Sequence, residues 1–79
     1  MNNMSRFIII ISTVINTPYD LEHISSTVGK FAGVIDWTID LGDSDKVLRL
    51  SASNNISTEL TARFHQLGIT SAVMGVFID

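Results

Sequence analysis

The sequence predicts an α+β sandwich in the order strand, helix, strand, strand, helix, strand. Two kinds of periodicity carry that prediction. Runs of β-branched or alternating apolar residues occupy Arg6–Ile15, Val34–Leu41, Lys46–Ala52 and Ser71–Ile78, and two intervening segments space their apolar residues three and four apart. Turn and cap residues stand where these patterns change.

Met1–Ser5 is polar and reads as a frayed start. In Arg6–Ile15, consecutive isoleucines make both faces apolar, as in a central strand covered on both sides. Pro18 suits the first turn of a helix and Thr17 suits its N-cap. Leu21, Ile24, Val28 and Phe31 then form one helical face, with Ala32-Gly33 as the exit. In the second strand, Ile35, Trp37, Ile39 and Leu41 alternate with polar residues, so they are expected on one buried face. Gly42–Asp45 has the composition of a turn, and the third strand places Leu48, Leu50 and Ala52 together. Ser57 is a candidate N-cap for the second helix, with Asn55 competing. Ile56, Leu60, Phe64 and Leu67 make its apolar stripe, and Gly68 closes it. In the last strand Ala72, Met74, Val76 and Ile78 are expected on one face, with Val73 and Phe77 on the other. Two right-handed split βαβ crossovers turn this order into a ferredoxin-like βαββαβ sandwich. Its four-stranded antiparallel sheet carries both helices on one face.

The 79 residues are expected to form a single domain with a limited core. There is no cysteine, which removes disulfides, thiolate metal sites and redox motifs. The net charge is -3, and Arg6, Lys30, Lys46, Arg49 and Arg63 are scattered along the chain. That balance argues against a grip on nucleic acid or an anionic membrane. Phe7–Ile11 is too short to span a bilayer, and no convincing cleavage site follows it, so a cytoplasmic location is expected.

Gly33-Val34-Ile35-Asp36-Trp37-Thr38-Ile39-Asp40-Leu41, followed by Asp45-Lys46-Val47-Leu48-Arg49-Leu50, resembles the second strand and hairpin of bacterial heavy-metal-associated domains. Those copper-chaperone-like domains run as GV-x-W-x-V-D and DKVL-x-V. Leu67-Gly68-Ile69 resembles the AG-[FY] that ends their second helix, and the similarity extends roughly from Arg6 to Met74. The resemblance implies the same fold. It also implies where the family's C-x-x-C would lie: counting back from Gly33-Val34 places its cysteines at Thr17 and Asp20. A hydroxyl and a carboxylate do not replace the soft thiolates that select copper(I) and zinc. The chain therefore resembles a member of the family without the family's metal chemistry, and no cofactor is expected.

Thr17-Pro18-Tyr19-Asp20 has a structural reading of its own. Thr17 at the N-cap and Asp20 three residues on have the spacing of a capping box. The chemical reading is a different metal site. Asp20 and His23 lie three apart on one helical face, and a carboxylate with an imidazole suits zinc, nickel or copper(II). Asn16, Thr17 and Tyr19 are poor additional donors, and His65 lies on the other helix. His23 and His65 otherwise read as solvent-facing. Asp43 and Asp45 match a solvated turn better than a calcium loop, and Trp37 reads as core or subunit contact.

In this fold the helices cover one sheet face, yet the first strand is apolar throughout and the fourth adds apolar residues of both parities. Either Phe7, Ile9, Ile11, Val73 and Phe77 or their neighbours must look away from the helices, a candidate partner surface. The alternative is ordinary scattered surface. The expected function is a non-catalytic binding or assembly module, acting through its sheet face or edge by self-association or with a protein partner. A second class is a small-molecule sensor. Pro18, Leu21 and Ile24 resemble the P-x-x-L-x-x-I opening of amino-acid-binding ACT domains, although Tyr19 stands where those carry glycine. Metal transport through a non-cysteine site is the third. An enzyme is the weakest class: the first loop lacks the arginine of acylphosphatases, and no nucleophile–base, carboxylate-pair or phosphate-loop pattern appears. The third strand also lacks the stacking aromatics of RNA-binding sheets.

Overall fold

A computed structural model describes residues 6–42 and 46–79. The elements follow the expected order: β1 (Phe7–Thr13), α1 (Pro18–Lys30), β2 (Val34–Asp40), β3 (Lys46–Ala52), α2 (Ser57–Gln66) and β4 (Ser71–Ile78). The sheet order is β2-β3-β1-β4, antiparallel throughout, which is the ferredoxin-like arrangement. β1 and β3 are central, and β2 and β4 are edges. Asp43, Ser44 and Asp45 of the expected turn, and the expected frayed start Met1–Ser5, lie outside the described residues.

One cluster forms the core. Ile9 and Ile11 of β1 and Leu48, Leu50 and Ala52 of β3 meet Ile24 and Val28 of α1 and Leu60 and Phe64 of α2. Both helices therefore cover the same sheet face. Phe7, Phe31, Val34, Trp37, Ile39 and Val76 pack around this cluster, so Trp37 belongs to the core periphery.

The helix ends follow their local chemistry. At the start of α1 the Asp20 amide donates to Thr17 Oγ1, and the Asp20 carboxylate accepts from the Thr17 amide, completing the capping box. α2 ends in a Schellman motif: the Ile69 amide donates to the Phe64 carbonyl at 2.9 Å and the Gly68 amide to the His65 carbonyl at 3.0 Å. Gly68 adopts φ +79, the left-handed conformation this motif requires. The start of α2 differs from expectation. Ser57 is the first helical residue and Ile56 the N-cap, without a side-chain cap. Neither candidate takes the N-cap position: Asn55 lies one residue before it, where its Oδ1 accepts both the Ser57 amide at 3.1 Å and the Ser57 hydroxyl at 2.7 Å. Leu67, expected in the stripe, sits beyond the last helical turn and is exposed.

Two irregularities overturn the expected strand faces. The β2–β3 register shifts between Val34 and Asp36, so Val34, Trp37 and Ile39 face the core while Ile35 is 51% exposed. The β1–β4 register shifts between Ile10 and Ile11, leaving Met74 as the extra residue of a bulge. An extra residue reverses the parity of everything beyond it. Val73 therefore shares the helix side with Val76 and Ile78, and Ala72 shares the open side with Gly75 and Phe77.

Candidate functional site

The loop from β1 to α1 is held at both ends. Val14 donates its amide to the Thr70 carbonyl at 3.0 Å, and Thr13 Oγ1 donates to the Lys46 carbonyl. At its far end Asp20 Oδ2 accepts from the Asn16 amide at 2.9 Å and the Thr17 amide at 3.2 Å. Thr17 Oγ1 and Asp20 Oδ2, at the positions implied for a C-x-x-C, are thus turned onto backbone amides. The carboxylate also sits at the positive end of the helix dipole. The functional groups of the loop satisfy donors that would otherwise be left open at a helix start.

His23 is turned elsewhere. It lines a groove of about 500 Å³ between the helices, with Ser26, Lys30, Phe31, Arg63 and Leu67. A second, smaller depression joins it to Tyr19, Glu22 and Ser26. Asp20 lines neither, so the structure does not gather the Asp20–His23 pair around a common space. Among the described residues, no three His, Cys, Asp or Glu side chains come together as a metal-ligand set. Also among them, no helix is long and apolar enough to cross a membrane.

Basic residues scattered in the sequence are paired by the fold. Lys30 and Arg63 share the interhelical groove, and Arg6 and Arg49 share a depression of about 200 Å³ on the opposite sheet face. Asp36, Thr38 and Ser51 complete that second depression. The sequence held no local signal for either grouping, because each partner lies on a different element.

The open sheet face needs a correction of its candidate residues. Ile9 and Ile11 are fully buried under the helices and Phe7 packs against the core, so none of the three is a surface residue of the open face. Their neighbours Ile8 and Ile10 take that role, since side chains alternate along a strand. Ile8 pairs with Phe77 and Ile10 with Gly75, which places these four on one side. Phe77 is 59% exposed, and its ring lies over Gly75, where an added Cβ would meet it at 3.0 Å. Val73 is 42% exposed but lies on the helix side, at the β4 edge. The open face is thus apolar on β1 and β4 and polar on β3 and β2, where Arg49 pairs with Thr38 and Ser51 with Asp36.

This architecture is shared with solved structures. The chain is similar to the apo form of the HMA domain of the copper chaperone for superoxide dismutase. The TM-score is 0.72 and the identity 14%, over 95% of this chain and 74% of that one. It is also similar to the crystal structure of PH0061, with a TM-score of 0.54 and 15% identity over 95% of this chain and 50% of that one. At these identities the likeness is one of fold. No family model matches the sequence, and no curated protein matches it.

Proposed function

We propose that the chain is a non-catalytic binding or assembly module, built on a metal-chaperone-like fold whose metal loop has become a helix cap. The capping box carries this reading. Thr17 and Asp20 occupy the implied cysteine positions, and their oxygens accept from the amides of Asp20, Asn16 and Thr17. Hydroxyl and carboxylate groups so engaged offer no soft site for copper(I) or zinc. The half-apolar open face of Ile8, Ile10, Gly75 and Phe77 supplies a surface suited to a protein partner.

The test is native mass spectrometry of metal-stripped protein with zinc, nickel and copper ions added singly. Metal-free ions are expected. Adducts that vanish in Asp20→Ala or His23→Ala would replace this reading with metal transport through a non-cysteine site. The double variant Thr17→Cys/Asp20→Cys sharpens the comparison. It restores the spacing of the family motif on an otherwise unchanged loop, and it is expected to gain a zinc or copper(I) adduct that the parent lacks.

The interhelical groove favours a second reading, a small-molecule sensor. His23, Lys30 and Arg63 converge on it, a lining suited to a ligand with an acidic group. Stabilisation by one member of an amino-acid panel, lost in Arg63→Ala, would establish it.

A further inference from the structure

The two edges of the sheet are guarded differently. β2 carries Asp36 and Asp40, so pairing it with its own copy would set carboxylates along the new junction. β4, Ser71–Ile78, carries no charged residue and no proline, and Val73, Met74, Phe77 and Ile78 are all exposed. Its one protective feature is the bulge at Met74.

The bulge determines which backbone groups of β4 point outward. The Asp79 amide donates to the Arg6 carbonyl at 2.8 Å, making Arg6 and Asp79 a hydrogen-bonded pair. By the alternation of antiparallel ladders, Ile8–Phe77 and Ile10–Gly75 are hydrogen-bonded too, and the groups of Val76 and Ile78 point away from β1. Beyond the bulge the count restarts from the Val14 amide, which donates to the Thr70 carbonyl. There Ser12–Ala72 is hydrogen-bonded, and the groups of Ser71 and Val73 point outward. The outward set is Ser71, Val73, Val76 and Ile78.

This set is symmetric about the Met74–Gly75 peptide. We propose that β4 pairs antiparallel with β4 of a second copy, Ser71 opposite Ile78 and Val73 opposite Val76, to form a two-fold dimer with one continuous eight-stranded sheet. In this register every outward residue meets an outward residue, giving about eight main-chain hydrogen bonds. The faces also agree: Ser71, Val73, Val76 and Ile78 all lie on the helix side, and Ala72 meets Phe77 on the open side. A bulge away from the middle of the strand would set outward groups against inward ones over half its length. Here two bulges meet at the axis and both halves stay in register.

The two-fold symmetry of the outward set selects the second copy as the occupant. Each chain carries a net -3, so two copies repel in general, and the uncharged edge lets them approach without like charges face to face. An eight-residue strand is ~27 Å long, and a strip about 10 Å wide covers roughly 270 Å² per protomer. At roughly 540 Å² in total the strip lies below the range of stable specific interfaces, so the dimer is weak and reversible and dilution dissociates it. The inference rests on the binding-module reading and names its partner.

Light scattering across a concentration series, joined to amide hydrogen exchange by NMR, tests it. Dimer formation is expected to slow exchange at Ser71, Val73, Val76 and Ile78 and to leave Ala72 and Phe77, already bonded to β1, unchanged. Ile78→Pro removes one outward donor while sparing the β1 ladder, and Met74→Lys sets two ammonium groups near the axis. Each is expected to weaken association at least tenfold with the fold retained. A wild-type chain that stays monomeric at millimolar concentration overturns the inference. So does a dimer that survives both variants. If Ile10→Asp then dissolves that dimer, the contact is the open face and the assembly reading stands without the edge. Metal adducts in native mass spectra would instead remove the assembly reading itself.

Discussion

Replacing Asp20 by alanine probes the residue that most separates a helix cap from a metal ligand. The carboxylate accepts from the Asn16 and Thr17 amides and stands in the first turn of α1. Alanine removes both bonds and the interaction with the helix dipole. The amides reach solvent, so water recovers part of the loss. A lost cap costs about 1 kcal/mol and the dipole term adds about 0.3–1 kcal/mol, so a total of about 1–2 kcal/mol is expected. For a domain of this size that lowers Tm by roughly 5–15 °C. Asp20→Asn keeps an acceptor and loses the charge, so a smaller loss is expected, and added salt narrows the gap between it and wild type. Urea denaturation of wild type, Thr17→Ala, Asp20→Ala and the double variant measures the coupling between the two residues. A reciprocal box requires the paired loss to be non-additive. A change below about 0.3 kcal/mol in Asp20→Ala, or strict additivity, would refute the cap argument.

Other substitutions test the packing directly. Ile11→Ala, at a fully buried site, is expected to lose about 2–5 kcal/mol by denaturation, whereas Ile10→Ala on the open face should lose clearly less. Equal losses would mean that the two faces of β1 are misassigned. Gly68→Ala is expected to cost about 1 kcal/mol through its positive φ alone, since an added Cβ there meets nothing within 4 Å. Thr17→Cys/Asp20→Cys should be less stable than wild type when metal-free and recover on adding zinc, read as a metal-dependent rise in Tm.

Much of the candidate site is legible in the chain's local pattern. The spacing of Thr17 and Asp20 states a capping box, because both partners of each bond lie within one helical turn. Pro18, Gly68 and the four-residue spacing of Ile24 and Val28 and of Leu60 and Phe64 are local in the same sense. So are the ends of β3 and β4, which coincide with those of the segments read from the sequence. The sequence by itself determined the element order, the capping box at the start of α1, and most of the buried stripes of both helices.

Only the tertiary structure decided which way the edge strands face. Clean alternation in Ile35–Leu41 and apolar residues of both parities in Ala72–Ile78 concealed the bulges, because a bulge is a property of the pairing between two strands. One unpaired residue at Met74 moved Val73 to the helix side, and the shift beside Ile35 put that isoleucine in solvent. For β1 the sequence left the parity open, since Phe7–Ile11 is apolar on both faces. Its pairing with Leu48, Leu50 and Ala52, whose own alternation is unambiguous, selected Ile9 and Ile11 for the core and released Ile8 and Ile10 to the open face. The grouping of His23, Lys30 and Arg63 likewise waited on the packing of α1 against α2, which brings residues far apart in the chain to the rim of one groove. Local bonding is written in neighbouring residues, whereas register and face are written in the partner strand.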